Sequence, residues 1–266
     1  MIIDRNNVNE IVNLSGTKPE KDYGQNFLID NLISSKIVES LEPSNNEYIL
    51  EIGPGLGSLT HYIAGKCKLD VCDIDIRMIN FLKGVYKNEI NYIYEDVRKI
   101  DVSKYDKIIG NLPYNITTEL VTFLLLNAKK CRKMVLMCQQ EAFSRFFDSC
   151  GENYGAITVL IHLLGTSKKI LTAKPGAFYP SPKCNSLVFS FEYFENVDLE
   201  EMIKVYKMCK SLFLNRRKTI LNNLKNYLGD SHKATKILDS LKIAVNKRPE
   251  EISPKEYLEM YNLLSK

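Results

Sequence analysis

Apolar positions along the chain fall into two rhythms, and the change from one to the other is the first clue to architecture. Leu32, Ile33, Ile37, Val38 and Leu41 recur at helical spacing and predict a helix over about Asp30–Leu41. Tyr48-Ile49-Leu50-Glu51-Ile52 is a short apolar run ending at Gly53, the signature of a buried parallel strand. A helix is expected from about Ser58, a second strand over Leu69–Ile74, a helix over Ile76–Tyr86 and a third strand over Ile90–Tyr94. Lys107–Gly110 reads as a fourth strand, Thr118–Leu126 as a helix and Met134–Met137 as a fifth strand. Strands alternating with helices in this way predict an α/β, doubly wound Rossmann-like sheet.

After about residue 165 the rhythm changes. Lys168–Thr172 and Ser186–Tyr193 read as two strands joined by the Pro-rich stretch Pro175–Pro182, an expected antiparallel hairpin at a sheet edge. From Leu199 onward the pattern is helical only. The expected division is therefore 1–196, with a loosely held polar lead over 1–20, followed by a small all-helical domain over 197–266.

Composition narrows the class. At 266 residues, 45% hydrophobic and 26% charged, the chain is globular and long enough for a sizeable core. No apolar run approaches the ~20 residues that span a bilayer, and the first fifteen residues lack the apolar core of a signal peptide. No membrane partner is expected. Seven scattered Cys without a CxxC, and three His away from them, predict no metal site and fit a reducing, cytoplasmic location. No heptad or interface pattern stands out, so a monomer is expected.

The candidate chemistry sits at strand ends. Glu51-Ile52-Gly53-Pro54-Gly55-Leu56-Gly57 joins the first strand to a helix, and its glycines let backbone approach a ligand. The GxGxG spacing is neither a dinucleotide fingerprint nor a Walker loop. The second strand ends at Asp73, an acid placed to take both ribose hydroxyls of a nucleoside. The third is followed by Glu95-Asp96-Val97, where a carboxylate can accept from an exocyclic adenine amine. Any one of these acids alone reads as a solvated loop residue. Three sites in register along one sheet edge predict an adenosine-derived ligand.

The fourth strand ends in Asn111-Leu112-Pro113-Tyr114. Taken alone the tetrad reads as a turn, but beside a nucleoside site it resembles the tetrad of methyltransferases acting on an amine conjugated to a ring. An Asn oxygen and the Leu112 carbonyl can accept both amine hydrogens, and Tyr114 can stack on the base, which must first leave its own stack.

The chain resembles the KsgA-type small-subunit rRNA adenine dimethyltransferases over roughly residues 18–260. The likeness rests on Gly24-Gln25-Asn26-Phe27-Leu28, the Glu51–Gly57 loop, Asn111–Ile116, Phe178-Tyr179-Pro180-Ser181-Pro182-Lys183 with Ser186, Arg216-Arg217-Lys218-Thr219 and Arg248-Pro249-Glu250-Glu251. It implies a seven-stranded S-adenosylmethionine-dependent methyltransferase sheet with a helical C-terminal domain. It also implies S-adenosyl-L-methionine as cofactor and two methyl groups on each of two adjacent adenosines in the 3′-terminal hairpin of small-subunit rRNA. The immature small ribosomal subunit is the implied partner. Cofactor contacts carry over to Asn26, Leu28, Gly53, Asp73, Asp96 and Asn111, with Glu51, Gly55 and Val97 beside them. Base stacking carries over to Tyr114 and Phe178.

Departures from the family pattern are Asp73 in place of Glu, Ala156 in place of Arg, Gln140–Phe143, and Cys184. A large-subunit rRNA dimethyltransferase of the macrolide-resistance type is disfavoured by Gly24, Leu112 and Arg216-Arg217-Lys218. A non-catalytic assembly factor is disfavoured by the intact tetrad. A DNA adenine methyltransferase is disfavoured because no separate duplex-reading domain is evident.

The net charge of +4 is an average. Between Ile203 and Arg248, twelve Lys and Arg face only Asp230 and Asp239, a local +10 that leaves −6 for the rest. Charge on helices is commonly just a solvated face. Clustering on this scale points to phosphate binding, with Arg216, Arg217, Lys218 and Arg248 as candidate RNA contacts.

Overall fold

The computed structural model describes residues 2–16, 25–148 and 151–265. Gly24 of the family segment, residues 17–20 of the expected lead, and Cys150 lie outside the described residues.

In chain order the elements are α1 (Val8–Leu14), β1 (Phe27–Leu28), α2 (Asn31–Leu41), β2 (Tyr48–Ile52), α3 (Thr60–Ile63), β3 (Lys68–Asp73), α4 (Ile76–Tyr86), β4 (Asn91–Tyr94), β5 (Lys107–Asn111) and α5 (Thr117–Asn127). Next come β6 (Lys133–Gln139), α6 (Gln140–Phe147), α7 (Ala156–Leu164), β7 (Gly165–Ala173), β8 (Phe178–Tyr179), β9 (Ser186–Tyr193), α8 (Leu199–Leu212), α9 (Ile220–Leu228), α10 (Ser231–Ser240) and α11 (Pro254–Leu264).

Seven strands form one sheet in the order β4-β3-β2-β5-β6-β9-β7. The first five pair in parallel, while β9 runs antiparallel to β6 and β7 lies beside it at the edge. The strand order reverses between β2 and β5, so their carboxyl ends flank the crevice where open α/β sheets bind ligands. One face of the sheet is covered by α2, α3 and α4: Ile37, Leu41, Ile63 and Leu82 meet Ile49, Leu69, Val71 and Ile109 in a single core. Each such side chain stabilises the fold by roughly 1.5–3 kcal/mol on leaving water. Local signals set the helix limits. Asp30 caps α2 by accepting from the Leu32 and Ile33 amides, both at 3.1 Å, and the helix stops where Glu42 turns left-handed. Leu32 itself is 75% exposed, so the buried stripe starts one turn later than the spacing predicts.

The lead is more ordered than expected. Ile3, Val8, Ile11 and Val12 are buried and pack with Phe27, Ile29, Leu56 and Met78. The helix predicted from Ser58 is only one turn long.

The chain divides into two compact units, 1–142 with 167–193, and 143–166 with 194–266. The expected cut at 196 is thus displaced, because 143–166 folds with the C-terminal helices. The Tyr154 hydroxyl donates to the Ile252 carbonyl at 2.8 Å, its ring meets the Phe213 edge, and α7 lies against α8. Among the described residues no helix is long and apolar enough to cross a membrane.

Candidate active site

The carboxyl ends of β2, β3, β4 and β5 open into a cleft of about 1060 Å³, counting its mouth. Of the thirteen residues predicted from sequence for catalysis or cofactor binding, twelve line it: Asn26, Leu28, Glu51, Gly53, Gly55, Asp73, Asp96, Val97, Asn111, Leu112, Pro113 and Tyr114. The thirteenth, Phe178, does not. It is 3% exposed, pairs with Leu28 through β8 and β1, and belongs to the core beneath. Packing thus holds Phe178 beside Leu28, which itself lines the cleft.

The glycine loop is shaped by backbone that other residues resist. Gly53 has φ +63°, and a Cβ there would lie 3.3 Å from the Asn111 carbonyl oxygen. Gly55 has φ +54°, and its Cβ would meet the Phe27 ring at 3.0 Å. Bare backbone at both positions keeps the cleft floor open.

Acids ring the cleft in different electrostatic states. Glu51 is buried, accepts from the Thr60 hydroxyl at 2.7 Å, and is pushed up to about 7 by burial. Burial likewise pushes Asp73 up to about 6, although it accepts the Asp75 amide at 2.9 Å. Asp96 goes the other way. The Arg98 guanidinium grips both its oxygens, the Arg98 amide caps Oδ1 at 2.9 Å, and the carboxyl is held below the usual range. Arg98 also reaches Glu119 on α5 at 2.6 Å, tying the β4 end to the helix that succeeds the tetrad. Sequence reading missed Arg98; its position two residues after Asp96 was the available signal.

The tetrad leaves β5 at Asn111. The Leu112 amide donates to the Met137 carbonyl at 3.0 Å, and the Pro113 carbonyl accepts from the Thr117 hydroxyl at 3.0 Å, so a short helical turn over Tyr114–Ile116 runs into α5. The Asn111 side-chain amide donates to the Asn26 carbonyl at 3.1 Å. That bond sets the sense of the amide and leaves Oδ1 as its accepting end. The Tyr114 hydroxyl is bonded to Ser186 Oγ at 2.6 Å, and burial holds it above the ordinary tyrosine range. It therefore stays protonated and is no base.

The C-terminal candidates form a separate group. The Ile220 amide donates to the Lys247 carbonyl at 2.6 Å, which puts the Arg216–Lys218 turn beside Lys247-Arg248. Arg217, Lys218 and Arg248 are exposed. Arg216 is not offered in the same way. Its guanidinium donates to the Gly151 carbonyl at 3.0 Å and to that of Glu152, and lies 3.9 Å from Glu250, so it fastens the 151–152 turn.

A Rossmann-like sheet with a glycine loop, strand-end acids and an Asn-Leu-Pro-Tyr tetrad defines an adenosyl-cofactor methyltransferase that acts on amines. Comparison with known proteins agrees. A model of the ribosomal RNA adenine dimethylase family matches residues 16–266. A ribosomal RNA small subunit methyltransferase A of Malacoplasma penetrans is 37% identical, with 90% of each chain covered. One from Fusobacterium nucleatum is 31% identical, covering 92% of this chain and 97% of that one. Among solved structures, a dimethyladenosine transferase from Plasmodium falciparum superposes with a TM-score of 0.76 at 24% identity, over 88% of this chain and 95% of that one. The 23S rRNA methyltransferase ErmE superposes at 0.69 and 20%, over 91% and 100%. These two show the fold alone.

The chain belongs to the ribosomal RNA adenine dimethylase family. It is an rRNA adenine dimethyltransferase, and its cofactor is S-adenosyl-L-methionine.

Proposed function

We propose that this enzyme dimethylates the exocyclic amines of two adjacent adenosines in the 3′-terminal hairpin of small-subunit rRNA, as a step in small-subunit assembly. The observation that carries the reading is the Asn111 amide, fixed by the Asn26 carbonyl with its oxygen left to accept, at a strand end beside the glycine loop. Support for the small subunit comes from the Malacoplasma and Fusobacterium relatives, which are 31–37% identical along nearly the whole chain. A monomer working in the cytoplasm fits the scattered thiols and the lack of a repeated interface pattern.

The residues present fit the cofactor. Bare backbone at Gly53 and Gly55 forms the cradle, and the Asp73 carboxylate lining the cleft, which accepts the Asp75 amide, keeps further lone pairs for a ribose diol. In this reading Asp73 holds the ribose and Asp96 with the Val97 amide holds the adenine edge. Asn26, Leu28 and Gly53 flank the remainder. Bound, the cofactor supplies an electrophilic methyl on a sulfonium.

The chain's own residues do the rest. Asn111 Oδ1 and the Leu112 carbonyl accept the two amine hydrogens, which favours a pyramidal nitrogen with its lone pair aimed at the methyl. Tyr114 supplies a ring face for the extruded base. No group needs to become a strong base, because the work is alignment and electrostatics.

Affinity for RNA is assigned to phosphate contacts by Arg217, Lys218 and Arg248, with Arg216 supporting them. Replacing Arg217 and Lys218 together by Ala should weaken RNA binding and make the plot of log affinity against log salt shallower by about 1.5–2. Filter binding over a salt series measures this, and an unchanged slope overturns the assignment.

Mass mapping of small-subunit rRNA from a strain lacking the gene tests the whole reading. Loss of two adjacent dimethyladenosines is expected. Their persistence, or label from tritiated cofactor appearing on duplex DNA and not on small subunits, would sink it.

A further inference from the structure

We infer that Ser186 is a positioning residue for the methyl-transfer step, holding the Tyr114 ring so that its face rather than its hydroxyl meets the target base. The inference rests on the reading of Tyr114 as the stacking residue and adds to it the device that orients the ring.

The geometry is specific. Ser186 opens β9 and is fully buried, at 0% exposure. Its hydroxyl lies 2.6 Å from the Tyr114 hydroxyl, across 72 residues of chain. Register places it there, since Ser186 is the partner of Gln139 at the last position of the antiparallel β6–β9 ladder, next to where the Leu112 amide bonds to the Met137 carbonyl. The neighbouring Asn185 is itself fastened, its carbonyl accepting the Gln140 amide at 3.0 Å and its side chain donating to Gln140 at 3.2 Å. The serine is thus held on a rigid element pinned on both sides. Tyr114, by contrast, sits on a single short turn between β5 and α5, and its hydroxyl bond to Ser186 ties the tip of its ring to β9.

Chemistry favours this assignment over a merely satisfied core hydroxyl. A tyrosine that lines a ligand cleft can offer its hydroxyl to the ligand, because the phenol is both donor and acceptor. Here the hydroxyl is committed to the wall of the sheet while the ring still lines the cleft. The π face remains for a ligand, which suits a flipped purine and is indifferent to the base's polar edge. Discrimination is thereby left to Asn111 and Leu112, which read the amine.

The kinetic consequence depends on where the base is held. RNA affinity is assigned to phosphate contacts by Arg217, Lys218 and Arg248 and not to the base, so loosening one ring should leave the KM for RNA almost unchanged. Misalignment of the amine is felt in the transition state, so kcat should fall.

The test is a double-mutant cycle with purified full-length protein, undermethylated small subunits and labelled cofactor. Ser186→Ala and Tyr114→Phe each remove the same hydrogen bond. Each should lower kcat about five- to tenfold, with the KM for RNA and for cofactor within twofold of wild type. The double variant should be no worse than either single one. Tyr114→Phe leaves β9 untouched, so it carries the comparison even where Ser186→Ala folds poorly. Losses that multiply in the double variant, a Tyr114→Phe protein with full kcat, or a Ser186→Ala defect confined to the cofactor KM would each overturn the inference. Wild-type protein that transfers no methyl to small subunits would remove the underlying reading as well, and shows itself before any variant is compared.

Discussion

Asn111→Ala is expected to reduce methylation of small-subunit rRNA by about 10²–10³-fold while cofactor binding falls only a fewfold. The magnitude comes from removing one preorganised acceptor at the point where charge develops on the reacting nitrogen, by analogy with loss of a single oxyanion-hole donor. The asymmetry comes from the geometry. The Asn111 amide donates to the Asn26 carbonyl, but the residues assigned to the ribose and adenine ends, Asp73, Asp96 and Val97, lie on β3 and beyond β4 and do not depend on it. Losing the Asn26 contact should loosen the segment before β1 and account for the small change in binding. Single-turnover methylation alongside calorimetric titration of the cofactor separates the two effects. Near-normal turnover in Asn111→Ala would remove the tetrad from the mechanism, whatever the binding data show.

The parts of this site that sequence reveals are those encoded locally. A strand that is buried on both faces must be an unbroken apolar run, so β2, β5 and β6 announce themselves, and the residues just after each run are candidates for the ligand edge. Asp73, Asp96 and Asn111 are legible because each stands at or just past the end of a strand. Features that depend on pairs brought together only by the fold stay hidden. Tyr114 and Ser186 meet through the β6–β9 register. The displaced unit boundary depends on Tyr154 reaching Ile252, 98 residues away. α7 has no polar stripe to betray its period, because Thr158, Val159, Leu160, Ile161 and Leu164 are all buried. The opposite error occurs in the lead, where Asn, Asp and Glu interspersed among the apolar residues mask the Val8, Ile11, Val12 stripe that seats α1. Phe178 is legible as part of the family loop, but its pairing with Leu28 through β1 and β8 is made only by the fold.

Asp73→Asn should move stability and cofactor affinity in opposite directions. Burial raises the folded-state pKa of Asp73 from 3.8 to about 6. A carboxyl with a raised pKa contributes stability in its protonated form at low pH, and that contribution is lost as pH rises through about 6. Above pH 7 the free protein carries a partly buried anion, and nearby Asp75 adds repulsion. Asparagine keeps the shape and can still accept the Asp75 amide, but never ionises. The variant without cofactor should therefore be more stable than wild type at pH 8, by about 1–2 kcal/mol. That is a rise of roughly 3–8 °C in melting temperature, and the difference should vanish near pH 4. Saturating S-adenosylmethionine should reverse the order at pH 8. Charge-assisted hydrogen bonds to the ribose are lost in the variant, cofactor affinity falls by about 10²-fold, and wild type gains the larger ligand-linked stabilisation. Melting curves of both proteins at pH 4 and 8, with and without cofactor, decide the matter. An asparagine variant less stable than wild type at pH 8, or equal cofactor shifts in the two proteins, would show that Asp73 is not a strained acid held ready for the ribose. The crossing of the two curves would show that the fold gives up stability in the empty site in order to bind its cofactor.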